Sequence, residues 1–273
     1  MRSIFLAGIG AIVAVVGTPS ALLAEGSDGF RLLFNGKDLS GWDTWLGRPL
    51  GEKEPIGLNK DPRQVYSIVQ VDGQPAIRIS GEIFGALTSR EEFENYHLRL
   101  EFKWGEKKWP PREKAVRDSG LLYHCIGPHG AQSSFWMQSL ECQIQERDCG
   151  DFYSVAGPVV DVEGERPSDK GPIVYKKGGM KFTGYRGRII RDVDHEKPVG
   201  QWNTIEVLTL NGTCVHAVNG KTNLVLTNPR GRLDGKEIPL TRGRIQLQSE
   251  GAEVFFRNIA IKPIMRIPDE YLK

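Results

Sequence analysis

The stretch Thr204–Leu226, TIEVLTLNGTCVHAVNGKTNLVL, decides the fold class. Three runs rich in β-branched and apolar residues, TIEVLTL, TCVHAV and KTNLVL, are separated by Asn211-Gly212 and Asn219-Gly220. Both members of an Asn-Gly pair tolerate the positive φ of a type I′ turn, whose twist matches that of the strands it joins. The stretch therefore predicts three successive antiparallel strands forming a meander. Upstream, Tyr96–Trp104 repeats the two-residue period: Tyr96, Leu98, Leu100, Phe102 and Trp104 share one face, while His97, Arg99, Glu101 and Lys103 share the other. Leu121–Ile126 is more continuously apolar. Leu140–Glu146 sets Leu140, Cys142 and Ile144 against Glu141, Gln143 and Gln145. Downstream, RGRIQLQSE and AEVFFRNIAIKPI are separated at Gly251 and close the array.

About ten short strands with two-faced alternation predict an all-β protein, a sandwich of two antiparallel sheets packed face to face, although a closed barrel would read similarly. A second face that is polar on several strands favours the curved sandwich, because a sheet face lined with polar side chains is a natural trough for sugars. Two stretches break the pattern: Gly105–Arg117 (GEKKWPPREKAVR), basic and proline-containing, and Gly157–Gly187, rich in Gly, Pro and charge. Both read as long loops, and connections of that length are commonly functional, so one or both are expected to border a binding site.

The 273 residues suffice for one large β domain with its own core. Hydrophobic residues at 39% and charged residues at 26% exclude disorder and a polytopic membrane protein. With 36 Lys and Arg against 34 Asp and Glu, the formal charge of +2 lacks the footprint of a nucleic-acid binder. Arg2, the apolar run Ile4–Val16 and the small residues that follow have the layout of a secretory signal peptide over residues 1–24, too short and too early broken by Gly17 and Pro19 for a stable membrane span. The mature domain is then 25–273, exported to the periplasm or secreted. In such a compartment Cys125, Cys142, Cys149 and Cys214 could form up to two disulfides, and no C-x-x-C pair suggests structural zinc. The tail RIPDEYLK is expected to cover an edge at most.

Several motifs, in order, resemble the 3-keto-disaccharide hydrolase family. They are GFRLLFNGKDLSGW (29–42), DSGLLYHC (118–125), LECQIQERDCGDF (140–152), GQWNTIEV (200–207), VHAVNGK (215–221) and IQLQSEGAEVFFRNIAIKPI (245–264). No single motif is specific; their joint order is. The resemblance implies a concanavalin A-like jelly roll and cleavage of glycosides whose C3 hydroxyl has been oxidised to a ketone. Asp118 stands where relatives often have Asn, and the QERDCGD run is more acidic than in many members, so substrate preference does not carry over.

A C3 ketone acidifies the C2 hydrogen, so a base can remove it and the enolate can expel the glycosidic oxygen from C1, after which water adds back. Direct hydrolysis by paired carboxylates is the alternative route. The first needs a base, donors for the enolate oxygen and an acid for the leaving group. Glu141, sharing a face with Gln143, is the first candidate for the proton-transfer role, with His124 second and Lys103 as a cation for the enolate. Arg99, Glu101, Gln143, Gln246, Gln248, Trp109, Trp136 and His216 are candidates for holding the sugar, the amides by bidentate contact with vicinal hydroxyls and the indoles by stacking. Each has a plainer reading as an ion-paired, solvated or core residue. No organic cofactor is indicated, since phosphate-binding glycine motifs are missing. A divalent ion at Glu141 and His124 would polarise the ketone, and Glu146, Asp148 and Asp151 could form an oxygen-rich calcium loop. The expected partner is a small carbohydrate, with a sugar 3-dehydrogenase acting upstream to supply the ketone. Two other functions remain open on the same fold: a non-catalytic carbohydrate-binding module, and an envelope interaction protein acting through its long loops.

Overall fold

A computed structural model describes residues 28–273, so the expected signal peptide at 1–24 lies outside the described residues. The described residues fold as a jelly-roll sandwich built almost wholly of strands, with one 3₁₀ turn among them at Asp269–Tyr271. The first sheet runs, in spatial order, Gly57–Leu58, Trp42–Leu46, Gly85–Ser89, Arg242–Ser249, Asp118–Ile126, Gln138–Gln145 and Phe152–Val155, all antiparallel. The second runs Tyr66–Val71, Gln74–Ile79, Ala252–Pro263, Tyr96–Lys108, Asn203–Leu210, Thr213–Val218, Lys221–Leu233, Val159–Glu165 and Met180–Tyr185. The Asn-Gly meander is present as read: Asn211 and Asn219 both have φ near +50°, in the left-handed region.

The core lies between the sheets. Leu98, Leu100 and Phe102 from the second sheet face Leu121, Leu140, Ile144 and Leu247 from the first, all fully buried. Because side chains alternate along a strand, Glu141, Gln143 and Gln248 must leave the first sheet on its other side. Arg99, Glu101 and Lys103 likewise leave the second sheet on its own outer side. The two sets of polar residues therefore occupy opposite surfaces of the sandwich.

Three expectations are corrected. Gly157–Gly187 is not one long loop: it contains the strands Val159–Glu165, Ile173–Tyr175 and Met180–Tyr185, whose Val160, Val162 and Ile173 enter the core. Frequent Gly, Pro and charge cut the alternation into pieces too short to show a period. The four cysteines are all free and buried, so no disulfide forms among them. The C-terminal tail covers a face rather than an edge, with Ile267 and Tyr271 packed on Leu208 and Val215 of the second sheet.

Candidate active site

On the outer face of the first sheet a cavity of about 300 Å³ is lined by Asp118, Glu141, Gln143, Gln145, Gln248 and Glu250, with Tyr153, Trp136 and Arg112 around them. Register explains the convergence. Glu141 sits opposite Leu122 and Tyr153, Gln143 opposite Gly120, and Gln145 opposite Asp118. Gly120 is the low point of the floor: a Cβ there would lie 2.2 Å from Glu141 Oε1 and 2.4 Å from Gln248 Oε1. Only glycine leaves room for those two side-chain ends to meet above it.

Three carboxyl groups, Asp118, Glu141 and Glu250, share this space with one guanidinium. Arg112 reaches in from the basic 105–117 segment, ion-pairs with Asp118 and approaches Glu250 at 3.9 Å. The segment is tied down by Trp109, whose backbone N–H donates to Gly251 O at 2.8 Å and whose indole donates to Ser80 O at 3.0 Å. Gln145 Nε2 donates to Asp118 Oδ2 at 2.5 Å. Burial raises Asp118 to about 7, opposed by the Arg112 charge. Burial, with the Asp118 charge adding to it, pushes Glu141 well above the usual carboxylate range, and burial with both neighbouring acids does the same for Glu250. One cation cannot offset three buried anions, so the cluster holds protons at neutral pH.

Arg112 Nε, Asp118 Oδ1 and Gln248 Oε1 are buried without a hydrogen-bond partner in the protein. Buried polar atoms are normally paired. Three unpaired ones at a single cavity, two acceptors and one donor, suit a ligand rich in hydroxyls. Gln143 Oε1 accepts from Ile144 N–H at 2.9 Å, which fixes the amide and leaves its NH₂ as a further donor.

The remaining sequence candidates lie elsewhere. His124, the second candidate for the proton-transfer role, has φ +51°, and a bulge there rotates its ring into the core. It packs edge-on against Tyr96 and Tyr123, at 5.8 and 5.2 Å between ring centres, and burial lowers its pKa to about 4. His216 is also in the core, hydrogen-bonded to Tyr123 OH at 2.9 Å and to Gly150 O at 3.3 Å, where it braces the turn before Asp151. Lys103 pairs with Asp72 at 3.0 Å, Glu101 with Arg257 at 2.6 Å, and Arg99 lies over the Phe30 ring at 4.3 Å, all on the far surface of the second sheet. Gln246 is fully buried, accepting from Met137 N–H at 3.1 Å and donating to Thr88 Oγ1 at 2.9 Å, so its amide has no free end for a sugar. Trp109 holds the Arg112 segment rather than the cavity wall. The proposed Glu141–His124 metal pair is thereby separated. Glu146, Asp148 and Asp151 are engaged by Arg117, Arg188 and Arg191 rather than turned toward a common centre.

The cavity thus unites Glu141, Gln143, Gln248 and Trp136 from the sequence reading and adds Arg112, Asp118, Gln145, Tyr153 and Glu250. Glu250 was legible as the next member of the Gln246, Gln248 alternation. Arg112 carried no local mark beyond its place in a basic loop.

The description of the 3-keto-α-glucoside-1,2-lyase-like domain matches residues 29–262. The chain belongs to this family. Membership makes it a carbohydrate-active protein of glycosyl-hydrolase type. Among solved structures, a protein described as a glycosyl hydrolase from Parabacteroides distasonis ATCC 8503 has a TM-score of 0.50 and 20% identity, covering 87% of this chain and 95% of that one. The carbohydrate-binding module CBM66 from Bacillus subtilis (TM-score 0.43, 8% identity, 81% and 95% covered) and the Bacillus licheniformis β-glucanase (0.41, 12%, 86% and 97%) are also similar. At 20% identity the likeness to the Parabacteroides distasonis structure speaks to the fold alone. No curated protein matches the chain.

Proposed function

We propose that the protein cleaves 3-keto glycosides at the Glu141 cavity by elimination and hydration. The observation that carries this reading is the cluster of three buried carboxyl groups around one guanidinium, with three unpaired polar atoms facing the same space. Such a cluster supplies both an ionised and a neutral carboxyl at neutral pH, which is what elimination requires.

Asp118, raised only to about 7 and paired with Arg112, is the group that ionises and takes the C2 proton. The C1–O bond breaks as the C1=C2 bond forms in conjugation with the C3 ketone, and Glu141, kept neutral by burial, gives its proton to the departing oxygen. Water then adds OH to C1 and H to C2, releasing the free 3-keto sugar. During proton removal negative charge grows on the C3 oxygen, where the Gln143 amide and the Arg112 guanidinium are the available donors. Export of the chain, implied by its first 24 residues, would place this activity where a sugar 3-dehydrogenase outside the cytoplasm could supply substrate.

Glu141→Gln preserves shape and removes the transferable proton. Sugar release from a chemically prepared 3-keto disaccharide should fall at least 100-fold while the protein stays folded; undiminished turnover would remove Glu141 from the mechanism. A non-catalytic binding module would instead bind plain glycans by calorimetry and turn over no oxidised sugar.

A further inference from the structure

The outer face of the first sheet does not end at the cavity. Beyond Gln248 and Gln246 it continues across Ala86 and Thr88 to Trp45 and Asp43, which are in register on the neighbouring strands. An uncovered sheet would offer a trough crossing all of them. Instead, the 127–137 connection lies on this half. Trp136 Nε1 donates to Gly85 O at 2.9 Å, Met137 N–H to the Gln246 side chain at 3.1 Å, and Trp45 Nε1 to Ser134 O at 3.0 Å. Phe135 fills the space over Gly47, where a Cβ would come within 2.3 Å of its ring, and His129 stacks on Trp45 at 5.4 Å. From the other side, Ala156 N–H donates to Gln132 Oε1 at 3.0 Å, fastening the connection to the edge of the sheet. These contacts bury Thr88 and Gln246 completely.

We infer that the 127–137 connection determines specificity: with Trp136 as an end wall it converts a trough into a pocket for one terminal sugar ring, so a keto ring in the interior of a chain is refused. The volume agrees. At about 300 Å³ the cavity lies at the small end of ligand pockets, room for a single hexopyranose ring, so a second ring has to lie outside. The wall is rigid: both Trp136 and Trp45 have their indole N–H groups satisfied by backbone carbonyls, and Phe84, Phe135 and Trp136 pack together with ring centres 5.3–6.3 Å apart. The inference deepens the proposed function and rests on it for the identity of the ring.

The test compares two substrates, a disaccharide whose terminal ring carries the 3-keto group and a trisaccharide in which the same keto ring is internal. The wild-type protein should show at least a 100-fold lower kcat/KM for the second, and Trp136→Ala should narrow that ratio at least tenfold. Equal turnover of both by the wild type, within about threefold, overturns the end wall whatever the variant does. If neither compound is turned over, the proposed reaction fails, and the pair is then compared by calorimetric binding: preference for the terminal ring sustains the wall, and equal binding overturns it. Should Trp136→Ala not fold, Trp136→Phe, which keeps the ring and loses the Gly85 contact, replaces it, with partial admission of the internal ring expected and an unchanged ratio counting against the role of Trp136.

Discussion

Gly120→Ala separates the stability of the floor from its chemistry. The added methyl group would meet Glu141 Oε1 at 2.2 Å and Gln248 Oε1 at 2.4 Å, distances no real contact tolerates, yet both obstacles are the far ends of flexible side chains. Neither is backbone. Gly120 has an ordinary φ, so alanine brings no backbone strain and gains about 0.4–1 kcal/mol from a less flexible unfolded chain. Against this stands the penalty of crowding a packed site, typically about 1–3 kcal/mol and here at the low end, because both obstacles can swing aside. The net loss should be about 1 kcal/mol or less, roughly 2–4 °C in Tm for a chain of this size. Activity should respond far more strongly. Moving Glu141 aside by the ångström or so needed to clear the methyl group removes the aligned proton donor, and misplacement on that scale lowers rates by about 100-fold. The assay pairs thermal unfolding with turnover of a 3-keto disaccharide. Retained activity in a folded Gly120→Ala protein would refute the claim that Glu141 and Gln248 act where they meet above Gly120, and a Tm loss well beyond 4 °C would show that the floor is not free to adjust.

Three further outcomes follow from the buried charges. In the proposed reaction turnover requires Asp118 ionised, so kcat/KM should rise with pH through about 7, and Asp118→Asn should abolish that ascending limb along with most activity; a limb surviving in the variant assigns it to another group. Glu141 binds its proton more tightly folded than unfolded, so its contribution to stability is complete below the unfolded value near 4.5 and is lost as pH rises toward the folded value. Between pH 5 and pH 8 the Tm of the wild type should therefore decline more steeply than that of Glu141→Gln, and parallel curves would mean that Glu141 is not buried as described. Asp151, fully buried, accepts from Arg188 at 2.8 Å and from Arg191 at 3.0 Å, and Asp151→Asn leaves two guanidinium groups facing a neutral partner. A loss of about 3–5 kcal/mol is expected, read as a Tm drop of roughly 10 °C by calorimetry, whereas a drop under 2 °C would show that solvent already satisfies the arginines.

The two sheets were legible because the chain states their local rules openly. Asn211-Gly212 and Asn219-Gly220 dictate turns, and the two-residue period of Tyr96–Trp104 assigns a core face without any tertiary knowledge. The same rule gave the Glu141, Gln143 and Gln248 face. It failed at His124, since a bulge changes the parity of every residue beyond it and nothing in DSGLLYHC announces a left-handed residue. It was silent on which of two polar faces holds the candidate site. Arg99, Glu101 and Lys103 alternate as cleanly as Glu141 and Gln143, and only the packing of one strand against another tells the two outer surfaces apart. Arg112 and Trp136 arrive from irregular segments whose paths depend on distant anchors, Ser80 and Gly251 for one and Gly85 and Gln246 for the other. Gln246 shows the limit most sharply: its pattern matches that of Gln248 two residues on, but the 127–137 connection covers one amide and spares the other.

That contrast also bears on why the acids stay where they are. Elsewhere in the molecule buried carboxylates are fully paired: Asp151 with two arginines, Glu206 with His97 at 2.7 Å and Tyr271 at 2.8 Å. The pairing of Glu206 holds its pKa below the ordinary value in spite of burial. Asp151, in contrast, is raised by burial even with both arginines in place, and at the cavity the pairing is thinner still. Asp118, Glu141 and Glu250 share one guanidinium, polar atoms around them are left unsatisfied, and the carboxyl groups are pushed upward. Replacing Glu141 or Glu250 by its amide would relieve the repulsion each shares with Asp118. Where the sheet face, the Arg112 segment and Trp136 converge, three buried polar atoms without a protein partner, Arg112 Nε, Asp118 Oδ1 and Gln248 Oε1, lie around one cavity together with the three acids. Local frustration of this kind marks functional sites, and a ligand rich in hydroxyls has the groups to complete these hydrogen bonds. Binding of such a ligand should therefore raise Tm more for the wild type than for Glu141→Gln, since only the former has the carboxyl that the ligand would relieve.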